Sequence, residues 1–497
     1  MDLFVTGATL LTMRDERLGI VDSGALAVTD GRISYVGPAT DAPDPGDANR
    51  TDASDSGDAN RTGASDPSDV EVVDAEGCVV MPGLVNAHTH MGHTLLRGSA
   101  QDVPEIEWMN RALGPFSAHA DEADNIAGCR LGVLEAVRGG VTTVCEYADH
   151  VGRLVEEVYQ PLGVDVVAVE TINEVPDDRS DLGPRELYPF DREQGEAALA
   201  RADALFEEYG DDPLVTPAYG PQALDMVSPD LLETVNGHAE ARDARIHLHT
   251  AQGEREAIQI EERYGADEST VSVLEDLGLV DESLVAVHCH GATPEERKRL
   301  ADGGAAMLGC PSSISAIDGI VPPVAEFREY GAPVGIGTDQ APGPGHHSMF
   351  REARTAATLS KVEHTDPTAL PAWAALRMAT VGGARALGID DEVGTLEEGS
   401  RADFIVVDTE QLSVAPAVDS PLHTAVPNLV YSTTGREVRD SFVAGEALLR
   451  DGAFVDADPE AAVEEATKRA EALYDRASDD WRAADSELVE AVDEGWL

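Results

Sequence analysis

The stretch MPGLVNAHTHMGHTLLR, from Met81 to Arg97, decides which fold the sequence predicts. Its first part belongs to a short apolar run at 79–85, which predicts one buried strand leading to His88-Thr89-His90. Because residues two apart on a strand point to the same side, His88 and His90 can present their imidazoles to one point. Two neutral imidazoles at the end of a strand suit a divalent transition metal. An H-x-H pair also fits a polar strand edge, so the metal interpretation depends on the other strand ends.

Short apolar runs alternate with helical patterns from residue 78 to residue 339. The helical patterns include 121–138, which Gly139-Gly140 would end, and 194–209. Eight apolar runs are present, at 78–88, 141–147, 164–170, 214–220, 245–250, 284–289, 305–310 and 333–339. Eight strands alternating with helices over about 250 residues predict an α/β fold of the (β/α)8 TIM-barrel type. In such a barrel the chemistry lies at the C-terminal ends of the strands, where His88 and His90 fall.

The segments on either side of the barrel predict a second, smaller β domain. Residues 1–80 alternate like strands, with Asp30-Gly31 as a hairpin turn signal, and residues 396–456 return to strand patterning. Neither half makes a convincing sandwich alone, so we expect a composite β-sandwich domain around a hydrolase barrel at 81–395. Residues 457–497 predict a charged C-terminal helix. The tract 39–69, in which GDANRT occurs twice, is expected to be a disordered insertion without a catalytic role.

The charge balance is strongly acidic, with 35 basic and 94 acidic residues and a net charge of −59. Nucleic acid is a poor partner, because phosphate binding needs a basic face. Such a charge repels itself in dilute buffer but is screened at molar salt, where the Debye length is about 3 Å. The balance therefore indicates a halophilic protein of a salt-rich cytoplasm.

Apolar segments and cysteines give no sign of a membrane or of an oxidising compartment. The sequence has no run of about 18 apolar residues and no signal-peptide pattern at its start. Its five cysteines are scattered without a C-x-x-C pair, which fits reduced, buried thiols. We expect a cytoplasmic protein that acts on a small molecule and binds no membrane.

Further predicted strand ends also carry groups that bind metals. Strand five ends in His247-Leu248-His249, strand six in His288-Cys289-His290 and strand eight in Thr338-Asp339. A lone histidine at a strand end is more often structural than metal-binding. Several histidines and an aspartate at one barrel mouth favour a metal site instead.

These motifs resemble the amidohydrolase superfamily over nearly the whole chain. The resemblance lies in PGLVNAHTH, the strand-five histidine, AVHC, GTDQ and RMATVGGARALGIDDEVGTLEEGSRADFIVVD. It is strongest to the branch that contains S-adenosylhomocysteine and methylthioadenosine deaminases, guanine deaminase and triazine hydrolases. It implies one divalent metal ion per subunit, zinc in the first place with iron or manganese as alternatives, and a homodimer. The implied metal ligands are His88, His90, His249 and Asp339.

The resemblance also implies how the reaction proceeds. The metal lowers the pKa of a water to about 7, and Asp339 accepts the proton of that water as the base. His288 lies over the water and steadies the developing oxyanion. His247 is interpreted as a strand residue that faces outward, and the role of His290 is left open.

Three positions that deaminases of this branch use to recognise nucleosides differ in this sequence. Gln252 replaces the glutamate of an H-x-x-E motif, and an amide can orient a ring but cannot protonate it. Glu254 or Glu256 could replace that acid only if the loop shifts. Ser117 stands where a glutamate holds the ribose hydroxyls, and Gln222 where a substrate-binding histidine follows strand four. Together these changes predict a substrate other than an ordinary adenosine derivative.

A few more loop residues are candidates for the pocket. Trp108 is a candidate substrate contact, for which a packing role is equally compatible. His346 and His347 are expected to face solvent. The remaining candidates leave strand ends in the same way and are Tyr147, Asp149 and Gln340.

We therefore predict a metal-dependent amidohydrolase that acts on carbon–nitrogen bonds other than peptide bonds, as a deaminase of a nitrogen heterocycle. One alternative is a cyclic amide or chlorotriazine-type hydrolase of the same superfamily. Another is a catalytically inactive barrel with an assembly role. The presence of all the implied ligands argues against the inactive barrel.

Overall fold

The structure is a computed structural model that describes residues 1–45, 70–176, 182 and 186–497. The tract predicted to be a disordered insertion falls mostly outside the described residues. Its first part, Ala39–Asp41, forms a short 3-10 turn after the third strand.

The N-terminal segment contributes five strands to a sheet outside the barrel. The strands are β1 (Leu3–Leu11), β2 (Ile20–Thr29), β3 (Arg32–Pro38), β4 (Glu71–Asp74) and β5 (Cys78–Pro82). In this segment β1 pairs antiparallel with β2 and parallel with β4 and β5, and β2 pairs antiparallel with β3.

The barrel consists of eight parallel strands, which confirms the predicted (β/α)8 fold. Its strands are β6 (Leu84–Thr89), β7 (Val141–Ala148), β8 (Asp165–Ile172), β9 (Val215–Pro221), β10 (Ile246–Thr250), β11 (Leu284–His288), β12 (Ala306–Gly309) and β13 (Val334–Ile336). The first and last strands meet through two backbone hydrogen bonds. The amide of His90 donates to the carbonyl of Asp339, and the amide of Asp339 to the carbonyl of His88, each over 2.9 Å.

The apolar run at 79–85 does not form one strand, as the sequence predicted, but is divided between the two sheets. The chain leaves β5 at Pro82 and enters β6 at Leu84. Gly83 lies so close to β7 that an added Cβ would stand 1.9 Å from the hydroxyl of Thr142. The alternation of the run gives no sign of this division, because both of its halves are buried on both faces.

Helices surround the barrel strands, and two of them lie close to the predicted ranges. The helix over 122–138 begins after Asp121, whose carboxylate accepts a hydrogen bond from the amide of Asp124. The helices up to the last barrel strand are α1 (Glu105–Glu107), α2 (Gly114–Ser117), α3 (Glu122–Arg138), α4 (Val151–Leu154), α5 (Gln160–Leu162), α6 (Arg192–Tyr209), α7 (Pro229–Arg242), α8 (Glu254–Tyr264), α9 (Thr270–Asp276), α10 (Pro294–Gly303), α11 (Pro311–Ile317) and α12 (Val324–Tyr330).

The C-terminal part completes the outer sheet and adds the last helices. Four strands, β14 (Phe404–Asp408), β15 (Val438–Val443), β16 (Glu446–Arg450) and β17 (Ala453–Phe454), extend the sheet from β5, so that both ends of the chain form one nine-stranded sheet. This confirms the predicted composite β domain. The remaining helices are α13 (Met349–Glu363), α14 (Ala372–Met378), α15 (Val381–Leu387), α16 (Ala425–Tyr431), α17 (Pro459–Ala484) and α18 (Glu487–Asp493).

Buried ion pairs connect the outer sheet to the barrel. The guanidinium of Arg401 lies 2.6 Å from the carboxylate of Asp165 in β8 and 2.8 Å from that of Asp403. It also donates a hydrogen bond to the carbonyl of Pro213 over 2.7 Å. One arginine therefore joins the sheet formed by the chain ends to two segments of the barrel.

The C-terminal helix α17 packs beside the mouth of the barrel. Its Tyr474 ring lies 4.6 Å from the ring of Phe116 in α2, measured between centroids. Arg476 and Arg469 on the same helix pair with Asp124 of α3. Leu473 reaches the wall of the cavity at the barrel mouth, so this helix takes part in shaping that cavity.

Candidate metal centre and active site

Histidine and aspartate side chains from four strand ends meet at the C-terminal end of the barrel. Ring nitrogens of His88, His90 and His249 lie within 4.8 Å of one another, and the same holds for ligand atoms of His88, His288 and Asp339. His288 and Asp339 have φ values of 73° and 58°, which non-glycine residues rarely adopt. Such backbone conformations concentrate at functional sites. The structure thus brings together all five residues that the sequence proposed for the metal and its water.

Backbone carbonyls fix the orientation of two of the histidines. Nδ1 of His90 donates to the carbonyl of Tyr147 over 2.8 Å, and Nδ1 of His249 donates to the carbonyl of Gln222 over 2.7 Å. Because a carbonyl oxygen only accepts, both nitrogens carry the ring proton. The Nε2 lone pairs of these two rings are therefore available to a metal.

The carboxylate of Asp339 faces the same point. Its Oδ1 lies 3.7 Å from Nε2 of His88 and 3.5 Å from Nε2 of His90. Its Oδ2 accepts a hydrogen bond of 2.5 Å from the hydroxyl of Ser313, which fixes the plane of the carboxylate. Burial raises the pKa of Asp339 to about 6, and the Ser313 hydrogen bond opposes that rise.

Burial keeps the imidazoles of the cluster neutral. It lowers the pKa of His90 to about 4 and the pKa values of His88, His249 and His288 well below their usual range. Within the described ranges, Nε2 of His88 and Nδ1 of His288 are buried without a hydrogen-bond partner. Buried polar atoms normally have a partner, and unpartnered neutral imidazoles beside a carboxylate are the donor set that a divalent metal requires. The residues present therefore fit a metal ion.

A cavity of about 690 Å³ leads from this cluster to the surface. Its wall contains every side chain that the sequence proposed for the substrate, namely Trp108, Ser117, Gln222 and Gln252. The amide oxygen of Gln222 accepts a hydrogen bond from the Asn173 side chain. Neutral polar groups thus line the cavity together with charged side chains, among them Asp149, Arg153 and Arg201.

Neither acid considered as a replacement for the missing glutamate faces the cavity. Glu256 is buried beneath the loop, where its carboxylate accepts hydrogen bonds from the backbone amide of Gln252 over 2.7 Å and the hydroxyl of Thr270 over 2.6 Å. Glu254 is exposed on the first turn of α8 and is absent from the cavity wall. The functional group that residue 252 presents to the cavity is therefore the side-chain amide of Gln252.

Several sequence interpretations of histidines prove wrong. His247 was expected to face outward, yet it is 1% exposed and its ring stacks on that of His88. His346 and His347 are buried rather than solvent-facing, because the loop after Asp339 folds back into the protein. His347 lies between the hydroxyls of Thr94 and Thr338, at 2.9 and 3.0 Å.

The remaining pocket candidates, Tyr147, Asp149 and Gln340, also line the cavity, and two of them have contacts that support its wall. The hydroxyl of Tyr147 donates to the carbonyl of Gly220 over 2.6 Å, and Gln340 bonds Nδ1 of His93 over 2.9 Å. His290 lies 3.2 Å from the carboxylate of Asp318. Sequence reasoning missed Ser313, Asn173 and His93. Of these only His93 had a local signal, because it lies within the stretch that carries the metal motif.

Known proteins share both the fold and the sequence pattern. The pattern of the Amidohydrolase family matches residues 79–448. The chain is 32% identical over 479 residues to the 5'-deoxyadenosine deaminase of Methanosarcina mazei, covering 96% of this chain and 99% of that protein. It is 34% identical over 416 residues to the 5-methylthioadenosine/S-adenosylhomocysteine deaminase of Halobacterium salinarum, covering 82% and 90%. A crystal structure of an adenosine deaminase from Xanthomonas campestris with bound zinc matches with a TM-score of 0.82 and 29% identity, covering 95% and 98%.

The chain therefore belongs to the amidohydrolase family, as its motifs predicted. It is a hydrolase of carbon–nitrogen bonds other than peptide bonds. Among the described residues, no helix is both long enough and apolar enough to span a bilayer.

Proposed function

We propose that this protein is a metal-dependent aminohydrolase that releases ammonia from a nitrogen heterocycle bound in the 690 Å³ cavity. The observation that carries the proposal is the meeting of neutral imidazoles and the Asp339 carboxylate at the inner end of that cavity. The deaminase names of the full-length relatives support the same reaction.

His88, His90, His249 and Asp339 would hold one divalent ion, with zinc preferred because of its affinity for imidazole and carboxylate ligands. Iron and manganese accept the same residues. When bound, such an ion lowers the pKa of a water to about 7 and so supplies a nucleophile at neutral pH. Zinc in the related crystal structure supports this choice.

The side chains around the ion would transfer protons and stabilise the charge that develops during the reaction. Asp339 accepts the proton of the attacking water, and Ser313 keeps the carboxylate turned toward the cluster. His288 lines the cavity beside Asp339 and can steady the oxyanion that develops as the water attacks. The carbonyls behind His90 and His249 keep both rings from turning away.

The amides, the hydroxyl and the aromatic ring in the cavity wall suit a planar nitrogen heterocycle. The amides of Gln222 and Gln252 can donate and accept hydrogen bonds, Ser117 adds a hydroxyl, and Trp108 adds an aromatic surface. Adenosine derivatives, for which the relatives are named, are the first compounds to test. A cyclic amide or chlorotriazine-type substrate is the second candidate, because Gln252 cannot act as the acid that protonates a purine ring.

The net charge of −59 supports a salt-rich cytoplasm as the site of action. A homodimer is part of the proposal on the basis of the family resemblance and the acidic C-terminal helix. The salt-rich cytoplasm and the homodimer concern where and in which assembly the enzyme acts, and the proposed reaction does not depend on them.

The test is elemental analysis of the protein purified in molar salt, combined with an ammonia-release screen over purines, pyrimidines, pterins and triazines. We expect about one equivalent of metal per chain and ammonia from one class of compound. Asp339→Asn and His88→Ala should lose both, whereas His238→Ala on the outer helix α7 should keep both. Full turnover in Asp339→Asn would refute the site.

The same screen separates the alternatives. One equivalent of metal without ammonia from any compound would favour amide or halide hydrolysis. A metal-free wild-type protein without turnover would favour an inactive barrel.

A further inference from the structure

We infer that His247 is a positioning residue, which keeps the ring proton of His88 on Nδ1 and so offers the bare Nε2 of His88 to the metal. The inference rests on the proposed metal site, but it concerns a residue outside the set of ligands. It also extends to Cys145, the next group along a buried chain of three side chains.

The three side chains of His88, His247 and Cys145 form a continuous series of close contacts. The rings of His88 and His247 are stacked with centroids 5.2 Å apart and planes 25° apart. Nδ1 of His88 lies 3.1 Å from Nε2 of His247. On its far side, Nδ1 of His247 lies 3.5 Å from the sulfur of Cys145. All three side chains are buried at the centre of the barrel.

His88 differs from His90 and His249 in the group behind it. Those two rings donate to backbone carbonyls, which only accept, so their protons have one possible position. Behind His88 stands a second imidazole, which can either accept or donate. The direction of the His88–His247 hydrogen bond is therefore not fixed by these two rings alone.

Only one direction leaves His88 able to bind a metal. If His247 donated from Nε2, the proton of neutral His88 would lie on Nε2, where Asp339 is 3.7 Å away and too distant for a hydrogen bond. If His88 donates from Nδ1, its Nε2 is bare, and His247 carries its own proton on Nδ1, facing Cys145. The thiol of Cys145, which can donate or accept, lies where its sulfur can accept that proton. Cys145 is thus compatible with the arrangement in which Nε2 of His88 is a ligand, and the metal selects that arrangement.

The experiment compares two substitutions at His247 that differ in one property. His247→Gln places an acceptor oxygen behind His88, whereas His247→Leu fills a similar space without one. Loss of a partner behind a ligating histidine typically weakens metal binding by 10–100-fold, and we expect His247→Leu to show a loss of about this size. We expect His247→Gln to stay within a few-fold of wild type.

Metal affinity is measured by competition with a chromogenic zinc chelator, and the coordination by the visible absorption of the cobalt-loaded protein. Thermal unfolding of the metal-free variants checks that each is folded. His238→Leu, a histidine substitution on the outer face of α7, is the matched control and should bind zinc as wild type does. Should His247→Leu fail to fold, Cys145→Ala and Cys145→Ser make the same comparison at the next side chain of the buried series. We expect Cys145→Ala to bind zinc more weakly than Cys145→Ser.

Each outcome has a defined meaning. A lower zinc affinity in His247→Leu, together with a near-normal zinc affinity in His247→Gln, supports the inference. Equal zinc affinities in these two variants, whether both are high or both are low, would overturn it while leaving the proposed function intact. A wild-type protein with no zinc affinity would overturn the metal site and this inference together.

Discussion

Replacing Gln252 by glutamate should turn the protein into a better deaminase of aminopurines. The side chain of Gln252 lies in the cavity wall on the loop after His249. Its amide can orient a heterocycle but cannot donate a proton as an acid. Gln252→Glu therefore restores the carboxyl group that the family resemblance leads us to expect at position 252.

The surroundings of position 252 favour a protonated carboxyl. The backbone amide of Gln252 donates to the buried carboxylate of Glu256 over 2.7 Å, and burial raises the pKa of Glu256 to about 7. A second carboxyl in this partly buried place has a like charge nearby, and both effects raise its pKa. A general acid contributes about 10²–10⁴-fold in rate. At about 1.36 kcal/mol per tenfold change this corresponds to roughly 2.7–5.4 kcal/mol of barrier.

The assay is steady-state ammonia release from adenosine, 5'-deoxyadenosine and 5'-methylthioadenosine, with the metal content of each variant measured in parallel. We expect kcat/KM to rise by about 10²-fold or more in Gln252→Glu. The added rate should decline as pH rises through the pKa of the new carboxyl, because only its protonated form donates. Gln222→Glu makes the same chemical change across the cavity and should bring no gain. Unchanged or lower kcat/KM in Gln252→Glu with full metal content would refute this reasoning.

Two further predictions concern buried charges outside the cavity. Arg401→Met should lower the free energy of unfolding by about 3–5 kcal/mol, because it leaves the buried carboxylates of Asp165 and Asp403 without their cation. The control is Arg385→Met, which removes the exposed ion pair between Arg385 and Glu16, worth less than about 1 kcal/mol. The free energy of unfolding of both variants is measured by denaturant unfolding. A loss of stability in Arg401→Met as small as that in Arg385→Met would contradict the first expectation. Burial raises the pKa of Glu352 from 4.5 to about 7, so between these values the folded protein holds a proton that the unfolded chain releases, and stability falls as pH rises. This fall in stability lowers Tm as pH rises, and Glu352→Gln should make the decline in Tm between about pH 5 and 7 less steep. If Tm of Glu352→Gln declines as steeply as that of the wild type, another group causes the decline.

Local patterns in the sequence predicted much of the site because they depend on short-range geometry. Strand alternation places His88 with His90 on one side of their strand. A parallel barrel brings all strand ends to one face, so His249, His288 and Asp339 had to come near them. Neither step requires knowledge of which strands are neighbours. The family motifs then supplied the role that we expect of each residue.

The same alternation predicted that His247 points to the side of His249, and our outward assignment went against this signal. What alternation cannot give is the partner of an inward-facing ring. The contact between His247 and His88 joins residues 159 positions apart, and it depends on the stagger of β10 against β6 across the barrel. Stagger is decided by how side chains fill the barrel interior, which no single segment encodes.

The sequence by itself determined that this protein has a barrel with histidine and aspartate side chains at its mouth and a β domain formed by both chain ends. Tertiary structure alone decided the division of one apolar run at Gly83, the burial of His347 and the hydrogen bond from Ser313 to Asp339. These features depend on the paths of loops and on the fit of surfaces far apart in the chain. Local alternation and turn residues carry information about neighbours in sequence, whereas partners in space are chosen by the packing of the whole molecule.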